Sequence, residues 1–282
     1  HPALYSATKA SKQPLTDKLG ATVKFDEQNA SGDTATCATI CNQFVSSNVD
    51  LIMANATPAL QAAQTATSTI PVLGTSVTDY GTALGIQNWT GKTGTNVSGT
   101  SDLAPLDKQA DIVKELFPDA KKVGILYCSA EPNSKYQSTV ITGYLEKLGY
   151  TCKEYTFSDS NDLQSVATSC ANDSDVVYVP TDNTVASNAA IIKNVCVPLK
   201  KPVVAGEEGI CSGCGVATLS ISYYDLGYET GEMAYDILVN GKNPGDTEVK
   251  FAPKFTKEYN ADICKELGIT LPSDYQAIKA AS

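Results

Sequence analysis

The side chains able to do chemistry in this chain gather in short clusters, each placed directly after an apolar run. Asn55-Ala56-Thr57-Pro58 follows residues 50–54, and Gly74-Thr75-Ser76-Val77-Thr78-Asp79 follows residues 71–73. Cys128-Ser129-Ala130-Glu131-Pro132-Asn133-Ser134 follows residues 123–127, Pro180-Thr181-Asp182-Asn183 follows residues 176–179, and Gly206-Glu207-Glu208-Gly209 follows residues 202–205. The hydroxyls of Thr57, Thr75, Ser76, Thr78, Ser129, Ser134 and Thr181 donate or accept hydrogen bonds. Helices starting just after Thr57, Asn133 and Asn183 would add free backbone N–H groups and a positive dipole end. That set suits a carboxylate. Asp79, Glu131, Asp182, Glu207 and Glu208 suit an ammonium group. One small ligand carrying both charges would use both sets, and Tyr80, Tyr127, Tyr136 and Tyr178 stand close enough in sequence to stack on its side chain. Taken singly, each residue also has a plainer reading. Asn133, Ser134 and Thr184 fit helix caps, Asp182 fits a loop brace, Glu207-Glu208 fits a solvated acidic pair, and Tyr127 and Tyr178 fit strand packing.

Other chemistries are poorly served. His1 is the only histidine, so a Ser-His-Asp triad would have to use the first residue. No G-x-S-x-G elbow, P-loop or H-E-x-x-H is present. The adjacent carboxylates of 206–209 would repel a phosphate. Nine cysteines with one histidine and a single C-x-x-C, Cys211 to Cys214, make a poor metal set, so neither metal nor cofactor is implied. An odd count leaves at least one thiol unpaired, and structural thiols are the expectation, with one or two disulfides as the alternative. The net charge of −10 opposes nucleic-acid binding, and no run of about 18 apolar residues is present to span a membrane.

The elements that must position these clusters follow from periodicity. Apolar runs without alternation read as buried parallel strands, and between them lie helical stripes, so the chain reads as βαβ units. Ser134 to Gln137 has the form of a capping box, followed by Val140, Ile141, Tyr144, Leu145 and Leu148 on one helical face up to Gly149. Val185, Ala189, Ile192 and Val195 line a second helix; Leu226, Met233, Ile237 and Leu238 a third; Ile112, Val113, Leu116 and Phe117 a fourth. The expected architecture is α/β, with two Rossmann-like lobes of parallel sheet joined by a multi-strand hinge. Residues 1–103 and 222–243 form the first lobe, and 104–221 and 244–282 the second. Ligands of open α/β sheets sit beyond the carboxyl ends of the strands, so the clusters predict a ligand cleft between lobes. The first lobe reads as lacking its opening strand, with a helix from about residue 3, and upstream residues are expected to supply that strand.

In this order the motifs resemble the ABC-transporter substrate-binding family that includes tryptophan- and tyrosine-binding lipoproteins. The resemblance rests on His1-Pro-Ala-Leu4, Asn29-Ala-Ser-Gly-Asp33, Ala56-Thr-Pro-Ala59, Thr75-Ser-Val-Thr-Asp79 and the stretch 124–134. It continues through Val177 to Ser187, Gly206-Glu-Glu-Gly209 and residues 223–234. It implies the type I periplasmic-binding-protein fold, three crossovers and closure about a hinge. It further implies non-catalytic capture of a free aromatic amino acid outside the cytoplasm and delivery to an ABC permease by a monomer anchored through an upstream lipidated cysteine. Positions matching the family's cleft loops are Thr57, Thr75, Thr78, Asp79, Ser129, Glu131, Asn133, Ser134, Thr181, Asp182, Asn183 and Glu207. Asp182 is expected at the ammonium; Thr57, the hydroxyls of 75–78 and Ser134 at the carboxylate. Tyr80 stands where the family often has proline, and Cys128 where a small polar residue is usual. A branched-chain amino acid, nucleoside or sugar is the alternative ligand, and a sensor core of the same fold the alternative role.

Overall fold

The computed structural model describes residues 2–278, and His1, with its part in the motif above, lies outside them. The chain opens with α1 (Pro2–Leu19), α2 (Thr34–Ser46), β1 (Ile52–Asn55), α3 (Thr57–Ala66), β2 (Val72–Val77), α4 (Tyr80–Leu84) and β3 (Val97–Ser101). There follow α5 (Leu106–Leu116), β4 (Lys122–Cys128), α6 (Pro132–Lys147), β5 (Thr151–Phe157), α7 (Leu163–Asp173) and β6 (Val176–Val179). Next come α8 (Asn183–Cys196), β7 (Val203–Ala205), α9 (Glu208–Cys214), β8 (Ala217–Ser220), α10 (Tyr223–Leu238) and β9 (Lys250–Phe251). The last elements are β10 (Thr256–Tyr259), α11 (Ala261–Leu267) and β11 (Gln276–Ala277).

These elements form two compact units. The first holds Pro2–Leu103 and Ser222–Pro253; the second holds Ala104–Ile221 and the chain from Lys254. The return to the second unit had been expected at residue 244 and comes ten residues later. The cause is β9, which pairs in parallel with β3 (Thr100 with Lys250, Ser101 with Phe251), while Val249 N–H donates to Gly91 O at 2.8 Å.

The first unit is a four-stranded parallel sheet in the order β1-β2-β3-β9. One face carries α2, α3 and α4 over a core of Cys41, Ile52, Leu60, Val72, Val77, Tyr80 and Val97. The other carries α1 and α10 over Leu15, Leu73, Met233, Ala234 and Ile237. Those two helices approach closely because Gly227 and Gly231 lie against the backbone of Ala7 and Ser11; a Cβ at Gly227 would stand 2.2 Å from the Ala7 carbonyl oxygen. β1 is one edge of this sheet, and residues 23–30 form no strand.

The second unit is a seven-stranded mixed sheet, β11-β10-β8-β7-β6-β4-β5, in which β10 runs antiparallel to β8. Alternate residues of β4 and β6 divide its two faces. Leu126, Cys128, Val177 and Val179 join α7, α8 and α9 through Leu163, Cys170, Val185, Ile192 and Ile210. Tyr178, fully buried, points to the other side and donates its hydroxyl to Gln109 Oε1 of α5. All nine cysteines are free thiols and eight are buried. Two elements had no strand signal in the sequence. β3 is a run of small polar residues with a single large apolar one, and β5 is a largely exposed edge strand with little apolar pattern.

Candidate functional site

In the first unit the clusters sit at the carboxyl ends of β1 and β2. The register of β2 against β3 shifts between Gly74 and Val77, and within this bulge Ser76 takes φ 54°. The cluster residues Gly74, Thr75, Ser76 and Val77 therefore belong to the strand itself. The Ser76 hydroxyl is buried without a hydrogen-bond partner, at a residue 5% exposed. Ala56, the residue before α3, takes φ 78° and its N–H donates to Thr75 O at 2.9 Å. Two non-glycine residues in left-handed backbone, side by side at the sheet end, cost energy that folding alone does not require. α3 starts at Thr57 with Pro58 in its first turn and has no side-chain cap. The start of α3 thus lacks a side-chain acceptor, as the Ser76 hydroxyl lacks any partner.

The neighbouring hydroxyls are bound internally. Thr75 Oγ1 accepts from Thr100 Oγ1 at 3.3 Å, and Thr78 Oγ1 donates to Asp102 Oδ1 at 3.1 Å. Asp79 caps α4 by accepting from Thr82 N–H at 2.7 Å. Tyr80, a candidate for ligand stacking, is instead core. Its hydroxyl donates to Thr100 O at 3.0 Å, its ring lies 6.3 Å from that of Trp89, and it is 1% exposed. Tyr127 and Tyr178 are likewise buried in the second unit; Tyr136 is half-buried.

In the second unit the loops after β4 and β6 form one buried network. Glu131 accepts from Asn183 N–H (2.9 Å), Asn183 Nδ2 (2.8 Å), Thr184 N–H (2.8 Å), Thr184 Oγ1 (2.7 Å) and Asn133 Nδ2 (3.1 Å). Asp182 accepts from Val185 N–H, Cys128 N–H and Ser134 Oγ, each at 2.8 Å. Burial, then the Glu131 charge beside it, pushes the Asp182 carboxyl up to about 7. Asp182, expected at the ammonium, is 0% exposed with both oxygens occupied. The expected capping box is also absent. α6 starts at Pro132, so Ser134 lies inside the helix and its hydroxyl is drawn to Asp182, while Gln137 reaches Asn133 O and Thr181 O, each at 3.1 Å. Ser129 donates to Phe157 O from an exposed position, and Thr181 Oγ1 donates to Gly206 O at 3.3 Å. Glu207 caps α9 through Gly209 N–H and Ile210 N–H. Glu208 N–H donates to Ser220 Oγ at 3.1 Å. One acceptor here lacks a donor. Asn133 Oδ1 is buried and unpaired, and its orientation is fixed because Nδ2 donates to Glu131.

The two sheet ends therefore carry opposite character. α8 and α9 have their leading N–H groups taken by Glu131, Asp182 and Glu207, which cancels them as anion sites. No lysine ion pair reaches Glu131 or Asp182 among the described residues. The chain contains no arginine, so it offers no guanidinium fork to a carboxylate. Two polar residues escaped the sequence reading. Gln109 donates to Gly206 O and Leu219 O at 3.0 and 3.2 Å, from within an otherwise apolar helical face. Asp102 follows β3 directly, the same strand-end signal as the other clusters, hidden because β3 itself went unrecognised. No group of three His, Cys, Asp or Glu among the described residues could hold a metal ion.

Comparison with known proteins places this arrangement. A family model described as ABC transporter substrate binding protein matches residues 1–281. The chain belongs to the ABC transporter substrate-binding protein family. A relative in this family, the tyrosine-binding protein of Clostridioides difficile strain R20291, is 40% identical over 270 residues, covering 95% of this chain and 78% of that protein. A crystal structure of an ABC domain in complex with L-Trp from Streptococcus pneumonia is 34% identical, with a TM-score of 0.90, covering 96% of this chain and 93% of that one. The leucine binding protein LivK of Thermotoga maritima, 14% identical with a TM-score of 0.65, covering 94% of this chain and 82% of that one, shares the fold. The fold of this substrate-binding protein is that of the type I periplasmic binding proteins.

Proposed function

We propose that this protein captures a free aromatic amino acid outside the cytoplasm and delivers it to an ABC permease without chemical change. It works as a monomer tethered by a lipid-anchored cysteine upstream of His1. The reading rests on one contrast. The strand ends of the first unit present donors lacking an acceptor, at Ser76 and the uncapped start of α3, whereas those of the second present buried carboxylates and the unpaired acceptor Asn133 Oδ1. The first set answers a carboxylate and the second an ammonium, the two groups every free amino acid carries. Thr57, Thr75 and Ser76 then serve the carboxylate. Asn133 touches the ammonium, with Glu131, Asp182 and Glu207 supplying its counter-charge, and Asp182 acts through the loops it holds. Ser129, Thr181, Asn183, Thr78 and Asp79 shape the same loops. Preference for an aromatic side chain draws support from what the relatives bind. No helix of the described residues is long and apolar enough to cross a membrane, which fits a protein that partners a separate permease.

Calorimetry with tyrosine, tryptophan, phenylalanine and leucine, together with tyramine and the deaminated acid of tyrosine, tests this directly. The aromatic amino acids bind and leave the titration unaltered in mass; at about 100 times Kd they stabilise the fold by ~2.7 kcal/mol in a thermal melt. Losing either charged group weakens binding by on the order of a hundredfold, since a buried partner is left unpaired. Tyramine binding as tightly as tyrosine would remove the carboxylate pole, and leucine binding best would remove the aromatic preference.

A further inference from the structure

The proposed ligand residues do not explain Asp102. It lies one residue beyond β3, is 4% exposed, and takes part in none of the ion pairs among the described residues. Its Oδ1 accepts from Thr78 Oγ1 at 3.1 Å and its Oδ2 from Tyr223 Oη at 2.9 Å. Its own N–H donates to Val77 O at 3.2 Å, and the preceding Ser101 Oγ donates to Thr78 O at 2.7 Å. These partners occupy particular places in the chain. Thr78 continues the β2 end that holds Ser76. Asp102 stands just before the chain leaves the first unit, after Leu103, and Tyr223 stands just after it re-enters at Ser222.

We infer that Asp102 is a positioning residue for ligand binding, a latch whose carboxylate ties the β2 end to the two chain segments by which the first unit joins the rest of the molecule. This rests on the amino-acid-binding reading above. Such a latch makes the shape of the β2 end and the path of both connections change together, so a ligand seated at the first also sets the second. An ionised carboxylate offers acceptors on both oxygens, which matches the two hydroxyl donors. Burial raises the Asp102 carboxyl above its ordinary value, while the Tyr223 and Thr78 hydroxyls oppose that rise. Tyr223 on α10 and Tyr80 on α4 are the titratable groups facing it, and neither a lysine nor a second carboxylate contributes. The two hydroxyl bonds favour the anion, while burial, the larger effect, opposes it.

Two variants and two readouts test this. Asp102→Asn and Tyr223→Phe are compared with the wild type by hydrogen exchange of the ligand-free proteins and by tyrosine titration at pH 7.5. In both variants the amides of 77–82 and 102–104 exchange faster together. Affinity at pH 7.5 falls by about tenfold or more, the worth of a hydrogen bond to a charged group. Exchange confined to one segment, or variants binding with wild-type affinity, would overturn the latch. A wild type that binds no aromatic amino acid overturns the function proposed above and leaves hydrogen exchange to decide the latch.

Discussion

At the residue scale, acidic side chains in this protein serve geometry first. Asp79, Asp182 and Glu207 cap helices, and Glu131 holds two backbone and two side-chain donors just after β6, with Asn133 Nδ2 of α6 as a fifth. An acid after a strand signals both a ligand contact and a cap, because both need an acceptor at the start of a helix. Sequence shows the acid; only its partners reveal the task. Asp182 illustrates the consequence. Asp182→Ala leaves Cys128 N–H, Val185 N–H and Ser134 Oγ without their acceptor in a buried site. Urea unfolding is expected to show a loss of about 3–5 kcal/mol. Reduced affinity at unchanged stability would instead return Asp182 to direct contact with the ammonium.

At the element scale, the apolar runs and helical stripes were legible because burial on both faces of a parallel strand leaves an unbroken hydrophobic signature. β1, β4, β6 and β7 lie where such runs were read, and α8 and α10 carry the predicted faces apart from Leu238, which is exposed at the end of α10. β3 was not legible. Val-Ser-Gly-Thr-Ser has one large apolar residue, and its burial comes from neighbours: Gly99 leaves room for Gly74 O and the Tyr80 hydroxyl, and Thr100 bonds Thr230 of α10 at 2.8 Å. The contact of α1 with α10 is of the same kind, made by residues with nothing to bury. Gly227→Ala forces a methyl into the Ala7 carbonyl and is expected to lower stability by about 1–3 kcal/mol, as overpacking does. Thermal melting checks this, and an unchanged midpoint would mean the helices slide apart without penalty.

At the scale of the whole molecule, stability depends on carboxyls that folding makes less acidic. Burial, then the Glu208 charge nearby, pushes Glu258 up to about 7, and Asp182 is raised likewise. Both bind a proton more tightly folded than unfolded. Between the ordinary carboxylate range and pH 7 the native state thus holds more protons, and stability falls as pH rises through that window. Glu258→Gln removes one titration. The variant is expected to be more stable than wild type at pH 8 by on the order of 1 kcal/mol, after allowance for its exposure to water, and to show no gain at pH 5. A melting curve for the variant that parallels the wild type across pH would dismiss this role.

What the sequence determined by itself was the alternation of most strands and helices, the family, and the places where polar groups meet the sheet ends. Those properties are local, written in runs of a few residues whose burial fixes their type. The tertiary structure alone decided which polar groups were spent and which stayed open. Ser134 and Asp182, 48 residues apart, occupy each other, and Asp102 is claimed by Tyr223 from 121 residues away. Ser76 and Asn133 are left with unanswered atoms. A hydrogen bond between distant segments leaves no periodicity in the chain, so whether a donor remains for a ligand depends on partners that only the fold brings near.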